Sequence, residues 1–441
     1  MDGYLLELFM KEYTLSLRYG GTSLPFKIPS GNLLGILAMR GAPPLSDTIE
    51  LIESLLDTPT SGPPFDEIFL RGDRVTVVVS DITRYTGSQV YLPVLINRLN
   101  RAGVVDEDIT IVFALGIHRQ QLPQEHRMIV GDEILKQVRV RDHNAFDFRN
   151  LACLGKTDKG TNIEINRSVA QADKIILTGT IGFHYLAGFG GGRKSIVPGL
   201  ASFETCRNAH LQVLNPPEIG GRHPKATTGV LEGNPFHEVM VEACEMLCPI
   251  FLFNTIMSPT KKIIEVVAGD YISAHQHGCD ILSKNFSPEL EEKADLVIVS
   301  CGGFPKDINF VQAHKSIDYA INALKDDGIM ILLAECSDGF GNPTFLDWFK
   351  YDNLQDLENA LRDNFEINGQ TAYSTLTKAK KVKIILLSEL ADSDVRRMSM
   401  TPVKSIDQAL SIAYEALGKY PSTYVIPDGG SIFPRVRRST D

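Results

Sequence analysis

Residues 174–195 read KIILTGTIGFHYLAGFGGGRKS: an apolar run that ends at Gly182, then a histidine, then a glycine-rich segment closing on Arg193, Lys194 and Ser195. A short stretch so rich in Ile and Leu, bounded by glycines, predicts a buried strand. The same pattern recurs in RVTVVVSD (74–81), ITIVFALG (109–116) and IFLFNTIM (250–257). Between them lie segments of helical period such as QVYLPVLINRLNRAG (89–103), whose last glycine suits the left-handed residue that closes a helix. Alternation of strand and helix predicts an α/β fold with a largely parallel sheet. Such sheets bind ligands beyond the carboxyl ends of their strands. The first residues to consider are therefore Asp81, Thr83 and Arg84, then Gly116 and His118, then Gly182, His184 and the glycine-rich segment.

Further along, the polar segment KNFSPELEEKAD (284–295) interrupts the rhythm before LVIVSCGG (296–303), GIMILLAEC (328–336) and KIILLSEL (383–390) resume it. Helices are expected over 311–325, 354–364 and 405–417. The sequence thus predicts two α/β domains, each a largely parallel or mixed sheet flanked by helices, with the active site in the cleft between them. Residues 1–285, including the β-rich start EYTLSLRYG (12–20), form the cofactor-binding catalytic domain. Residues 286–420 form a smaller domain, and 421–441 a terminal segment that packs back on the first.

Composition excludes several classes. The 441 residues are 43% hydrophobic and 22% charged, the balance of an ordinary globular protein. Asp and Glu (54) outnumber Lys and Arg (44), giving a net charge of −10. The nearest approach to a basic cluster is Arg435, Arg437 and Arg438, so nucleic acid is not an expected partner. No apolar stretch approaches the ~20 residues of a membrane span, and the N-terminus MDGYLLELFMKEY carries charges within its apolar part. The seven cysteines, at 153, 206, 244, 248, 279, 301 and 336, lack the paired spacing of a zinc ribbon. Reduced thiols in the cytoplasm are expected.

The glycines at 188, 190, 191 and 192 would let backbone N–H groups approach an anion, with Arg193, Lys194 and Ser195 adding charge and a hydroxyl. The segment is not a Walker loop, because Arg193 separates the last glycine from Lys194 and Pro198 follows; it also lacks the final glycine of G-x-G-x-x-G. Lys194 suits either phosphate binding or, if desolvated, nucleophilic attack. His210 falls on a helix that Ser202 would cap, with Cys206 one turn earlier, a pair compatible with nickel, copper or zinc. His118 and His184 could act as acid and base on opposite faces of a substrate, or simply bond at strand ends. Arg84 suits a carboxylate clamp.

HYLAGFGGGRKSIVPG (184–199), with His210 following, resembles the signature of LarA, the nickel-dependent lactate racemase family. DITR (81–84), LGIH (115–118) and QAHK (312–315) match that family's other active-site segments, in the family's order. The resemblance implies a racemase or epimerase of 2-hydroxy acids that transfers hydride reversibly to a nickel pincer nucleotide made by separate cofactor-synthesis proteins. It implies His118 and His184 as the acid/base pair, and Arg84, Gln312 and Lys315 at the substrate. Lys194 would attach the cofactor and His210 would complete the nickel sphere. Asp81, with Gly190, Gly191, Gly192, Arg193 and Ser195, would hold its ribose and phosphate.

The family's lactate-specific members have a tryptophan near the substrate; NGQTAYSTLTK (368–378) has none, and the single Trp348 is expected to pack. Lactate, longer or aromatic 2-hydroxy acids, malate and sugar acids stay open. Two other readings compete: a zinc-type hydrolase with His118, His184 and His210 as ligands, and a non-catalytic binder of the cofactor or of a 2-hydroxy acid. His275 and His277 are expected to point apart on a helix, and Cys244 and Cys248 to be buried small hydrophobes. His126, His143, His223, His237 and His314 receive no role.

Overall fold

The computed structural model describes residues 12–41, 45–247, 250–351 and 353–437. Most of the N-terminal stretch, Cys248 and Arg438 lie outside the described residues. Twelve strands build two six-stranded sheets. In chain order they begin with β1 (Leu33–Ile36), β2 (Val75–Ser80), β3 (Ile109–Ala114), β4 (Arg139–Asp142), β5 (Lys174–Ile181) and β6 (Ile250–Met257). They continue with β7 (Ile263–Asp270), β8 (Ala294–Ser300), β9 (Leu324–Leu333), β10 (Lys383–Leu387), β11 (Thr401–Val403) and β12 (Thr423–Ile426). The four apolar runs read from the sequence are β2, β3, β5 and β6.

The chain divides into two compact units. One runs up to Ser283 from just after Gly41; the other joins the residues up to Gly41 with those from Lys284 onward. In the first unit the strand order is β7-β6-β5-β2-β3-β4, all parallel except the edge strand β7. The chain lays β3 and β4 to one side of β2, then crosses to lay β5 and β6 on the other. The topological switch therefore falls between β2 and β5, where a ligand crevice is expected beyond the strand ends. Every residue of β2 is buried, and burying each Val side chain contributes roughly 1.5–3 kcal/mol. Helix α1 (Ser88–Arg101) covers this sheet with Tyr91, Leu92, Leu95 and Leu99, and Gly103 follows at φ +95°.

The second unit has the order β11-β10-β9-β8-β12-β1, and every pairing is parallel. Here the expected domain limits change. The strand β1 pairs with β12, and the hairpin Glu12–Tyr19/Thr22–Pro29 contributes Leu17, Phe26 and Ile28 to the core of this sheet. Residues 12–41 therefore belong with the C-terminal part. The terminal segment likewise stays in this unit, through β12 and through pairing of Arg435–Val436 with Glu289–Leu290. The helix expected over 311–325 stops at Ala320, because Leu324 already opens β9. Among the described residues no helix is long and apolar enough to cross a membrane.

Candidate functional site

Asp81 follows directly on β2 and is 3% exposed. One carboxylate oxygen accepts hydrogen bonds from the Thr83 backbone N–H (2.9 Å) and hydroxyl (2.5 Å); the other lies 2.6 Å from Nδ1 of His118, which follows β3. Burial alone would raise the Asp81 pKa, but the His118 and Thr83 hydrogen bonds and the nearby Arg84 charge outweigh it and hold the carboxyl below its usual range. Both oxygens of Asp81 are thus engaged within the protein. Asp81 and His118 form a pair across the ends of β2 and β3, and the His118 side chain is about half exposed (46%).

After β5 the chain forms a miniature hairpin, pairing Phe183 with Phe189 and His184 with Gly188. Its turn directs the backbone N–H groups of Leu186 (3.2 Å) and Ala187 (3.1 Å) at Nδ1 of His184. Beyond it the glycine run lies flat against its own sheet. The Gly190 N–H donates to the Gly182 carbonyl (2.7 Å), and the Gly192 N–H to the Asn254 side-chain oxygen on β6 (2.9 Å). A Cβ at Gly188 would stand 2.1 Å from the Val230 carbonyl oxygen, one at Gly191 2.7 Å from Asn254, and one at Gly192 2.3 Å from Leu252. The Ser195 hydroxyl donates to the Thr178 carbonyl of β5 (3.3 Å). The expected phosphate nest is therefore changed in kind: Gly190, Gly192 and Ser195 direct their donors inward, and the glycines serve close packing.

Arg193 and Lys194 then diverge. Arg193 is 4% exposed. Its guanidinium meets Nδ1 of His275 (2.5 Å), on α4 (Ser273–Phe286), and Nε2 of His237 (3.3 Å), on α3 (Pro235–Glu245), where α2 is Phe203–Leu211. No carboxylate pairs with it among the described residues, and its Nε has no partner. Burial, then the Arg193 charge, pushes His237 down to about 3 and His275 well below its ordinary range, so both rings stay neutral. His275 passes the contact on, donating from Nε2 to the Gly190 carbonyl (2.7 Å). A cavity of about 530 Å³ opens on Arg193 and His237, walled by Glu238, Glu242 and Gln276.

Lys194 instead acts on α2, which the Ser202 side chain caps as the sequence predicts. There His210 donates from Nδ1 to the Cys206 carbonyl (2.7 Å), which leaves the ring lone pair on Nε2. Burial pushes the His210 pKa down to about 4, and the Lys194 charge adds to it. A neutral, oriented imidazole is what a soft divalent metal requires. Cys206 is a thiol rather than a thiolate, pushed up to about 12 by burial despite Lys194.

Gln312 and Lys315 belong to the other unit, on α5 (Phe310–Ala320), where the Lys315 ammonium donates to Gln312 Oε1 (2.7 Å). Trp348 is buried against Gly369 at the start of α6 (Ile367–Lys381), a packing role. Among the described residues no three His, Cys, Asp or Glu side chains gather as a metal site, so His118, His184 and His210 do not form a zinc triad. His237, His275 and Asn254 were not singled out from the sequence. His275 and His277 do point apart, but the buried one supports the loop.

The fold and these residues define an α/β protein with an Asp-supported histidine, a second oriented histidine and a buried imidazole beside a lysine. The comparisons agree with the sequence signature. Residues 19–220 match the lactate racemase N-terminal domain and 290–433 the lactate racemase C-terminal domain. The chain is 30% identical to the lactate racemase of Thermoanaerobacterium thermosaccharolyticum over 96% of this chain and 99% of that one. It is 31% identical to the lactate racemase of Lactiplantibacillus plantarum, over 94% and 98%. The apoprotein structure from T. thermosaccharolyticum superposes with a TM-score of 0.87 at 30% identity, covering 97% of this chain and all (100%) of the other. A Thermotoga maritima protein shares the fold at 18% identity and a TM-score of 0.63, over 91% of this chain and 100% of that one. The chain belongs to the lactate racemase family, whose named members are isomerases.

Two outcomes are expected. Gly188→Ala should cost about 2–4 kcal/mol in urea denaturation, since a Cβ meets backbone there and φ is +78°. Stability should also fall with acid. His143, buried against the Ala201 carbonyl, and His210 each have a folded pKa of about 4 against 6.5 when unfolded, so the unfolded chain binds more protons in that window. Unfolding free energy should therefore drop from pH 6.5 to 4, by up to roughly 3 kcal/mol per ring. A flat profile across that range would contradict the assignment.

Proposed function

We propose that the protein inverts the configuration at C2 of a 2-hydroxy acid, with lactate the first substrate to test and a nickel pincer nucleotide as cofactor. The observation that carries this reading is the Asp81–His118 pair beyond the carboxyl ends of β2 and β3 (2.6 Å). The carboxylate can only accept, so Nδ1 of His118 bears hydrogen and Nε2 offers its lone pair to a substrate hydroxyl. Arg84, whose charge already reaches Asp81, stands exposed where its N–H closes the turn on the Asp81 carbonyl, and holds the substrate carboxylate.

The donor set fits the cofactor. Neutral His210 would hold the metal, and the Lys194 amine, close enough to bias His210, would be the point of attachment. When bound, the cofactor supplies the acceptor and donor of the C2 hydride, by way of a planar 2-keto acid. The chain's own residues orient that acid, move the hydroxyl proton and exclude water. The cofactor comes from separate synthesis proteins in the cytoplasm. Since a methylene is worth only about 1–3 kcal/mol in discrimination, the preferred 2-hydroxy acid is a matter for a substrate panel.

The test uses full-length protein produced with the cofactor-synthesis enzymes and given L-lactate deuterated at C2. D-lactate that retains its label supports hydride transfer; washout into solvent would refute it. His118→Gln should lower kcat by about 10²–10⁴ with the fold intact. His210→Ala should lose bound nickel by elemental analysis whatever its activity.

A further inference from the structure

His118 and His184 sit in different hydrogen-bond environments. At His118, Nδ1 faces the Asp81 carboxylate at 2.6 Å. A carboxylate can only accept, so the hydrogen is on Nδ1 and the lone pair on Nε2. At His184, Nδ1 faces the backbone N–H groups of Leu186 (3.2 Å) and Ala187 (3.1 Å). Those amides can only donate, so Nδ1 must accept and the neutral ring keeps its hydrogen on Nε2. Turning the ring over would set Cδ2 against both amides and strip two donors of their acceptor.

We propose that the resting enzyme is asymmetric: Asp81 holds His118 as a ready proton acceptor, whereas the Leu186 and Ala187 amides hold His184 as a neutral N–H donor that accepts a proton only after its turn opens. This deepens the racemase reading and rests on it. At His118 the step needs no preparation: the substrate O–H bond breaks, an Nε2–H bond forms, and the new positive charge lies beside Asp81. The half-exposed His118 then gives that proton to solvent, and in the return step His184 takes one at Nδ1 before its Nε2–H passes to the product oxygen; in the opposite direction its ring hydrogen must first move from Nε2 to Nδ1. The proton count is unchanged, but Nδ1 becomes a donor facing two donors, so the Tyr185–Ala187 turn has to release it. Asp81 and the two amides are thus positioning groups for the proton step.

The asymmetry has a kinetic signature. Two enantiomers have equal free energy, so kcat/KM is the same in both directions whatever the residues do. Any difference in free energy between the two bound complexes therefore appears as unequal kcat with KM changed in proportion.

The experiment is imidazole ¹⁵N NMR on the full-length, cofactor-free protein at pH 8, with His118→Gln and His184→Gln assigning the signals. The expected result is hydrogen on Nδ1 of His118 and on Nε2 of His184. Asp81→Asn should alter the His118 pattern and leave that of His184 as it was; if that variant folds poorly, the wild-type spectra decide alone. The same tautomer at both rings, or hydrogen on Nδ1 of His184, would overturn the proposal. The racemase reading fails separately, by absence of inversion for every 2-hydroxy acid tried while the tautomers remain as described.

Discussion

The lack of room beside β5 and β6 is the constraint from which the site follows. Where Gly188, Gly191 and Gly192 lie, neighbouring atoms of Val230, Asn254 and Leu252 already occupy the space of a Cβ. Only a chain without side chains can lie so close to the sheet. Because it does, the two cations that follow are sent in opposite directions, Arg193 toward α3 and α4 and Lys194 toward α2. Neither direction is written in the residues themselves.

Electrostatics reinforce that division. Arg193 keeps its charge in a buried place without an ion pair, a costly arrangement that ordinarily needs a hydrogen-bonded partner. Two histidines supply lone pairs instead, and burial together with the same charge keeps them neutral. The chain from Arg193 through His275 to the Gly190 carbonyl fixes the loop from behind. On the other side, burial keeps His210 unprotonated and the Lys194 charge adds to it. One dipeptide thereby biases three imidazoles toward the neutral form.

How much of this was legible in sequence depended on whether the cause was local. Continuous Val, Ile and Leu runs marked β2, β3, β5 and β6, and Ser202 marked the start of α2, because burial and capping act within a few residues. The LarA-like segments located His118, His184, Lys194 and His210. What escaped was set by distant partners. The short strand β1 says nothing of its pairing with β12, the glycine run does not reveal that Leu252 and Asn254 crowd it, and Asp81 does not announce whether it faces a ligand or His118. His237 and His275 look like ordinary helix residues until Arg193 lies between them.

The pairing of β1 with β12 bears on how the chain is made. The unit ending at Ser283 is one uninterrupted run, so it has all its strands as soon as that run leaves the ribosome and can close its core during synthesis. The other sheet begins with the first residues yet lacks a neighbour for them until nearly the last strand emerges. Its N-terminal hairpin and edge strand must wait through the folding of everything between.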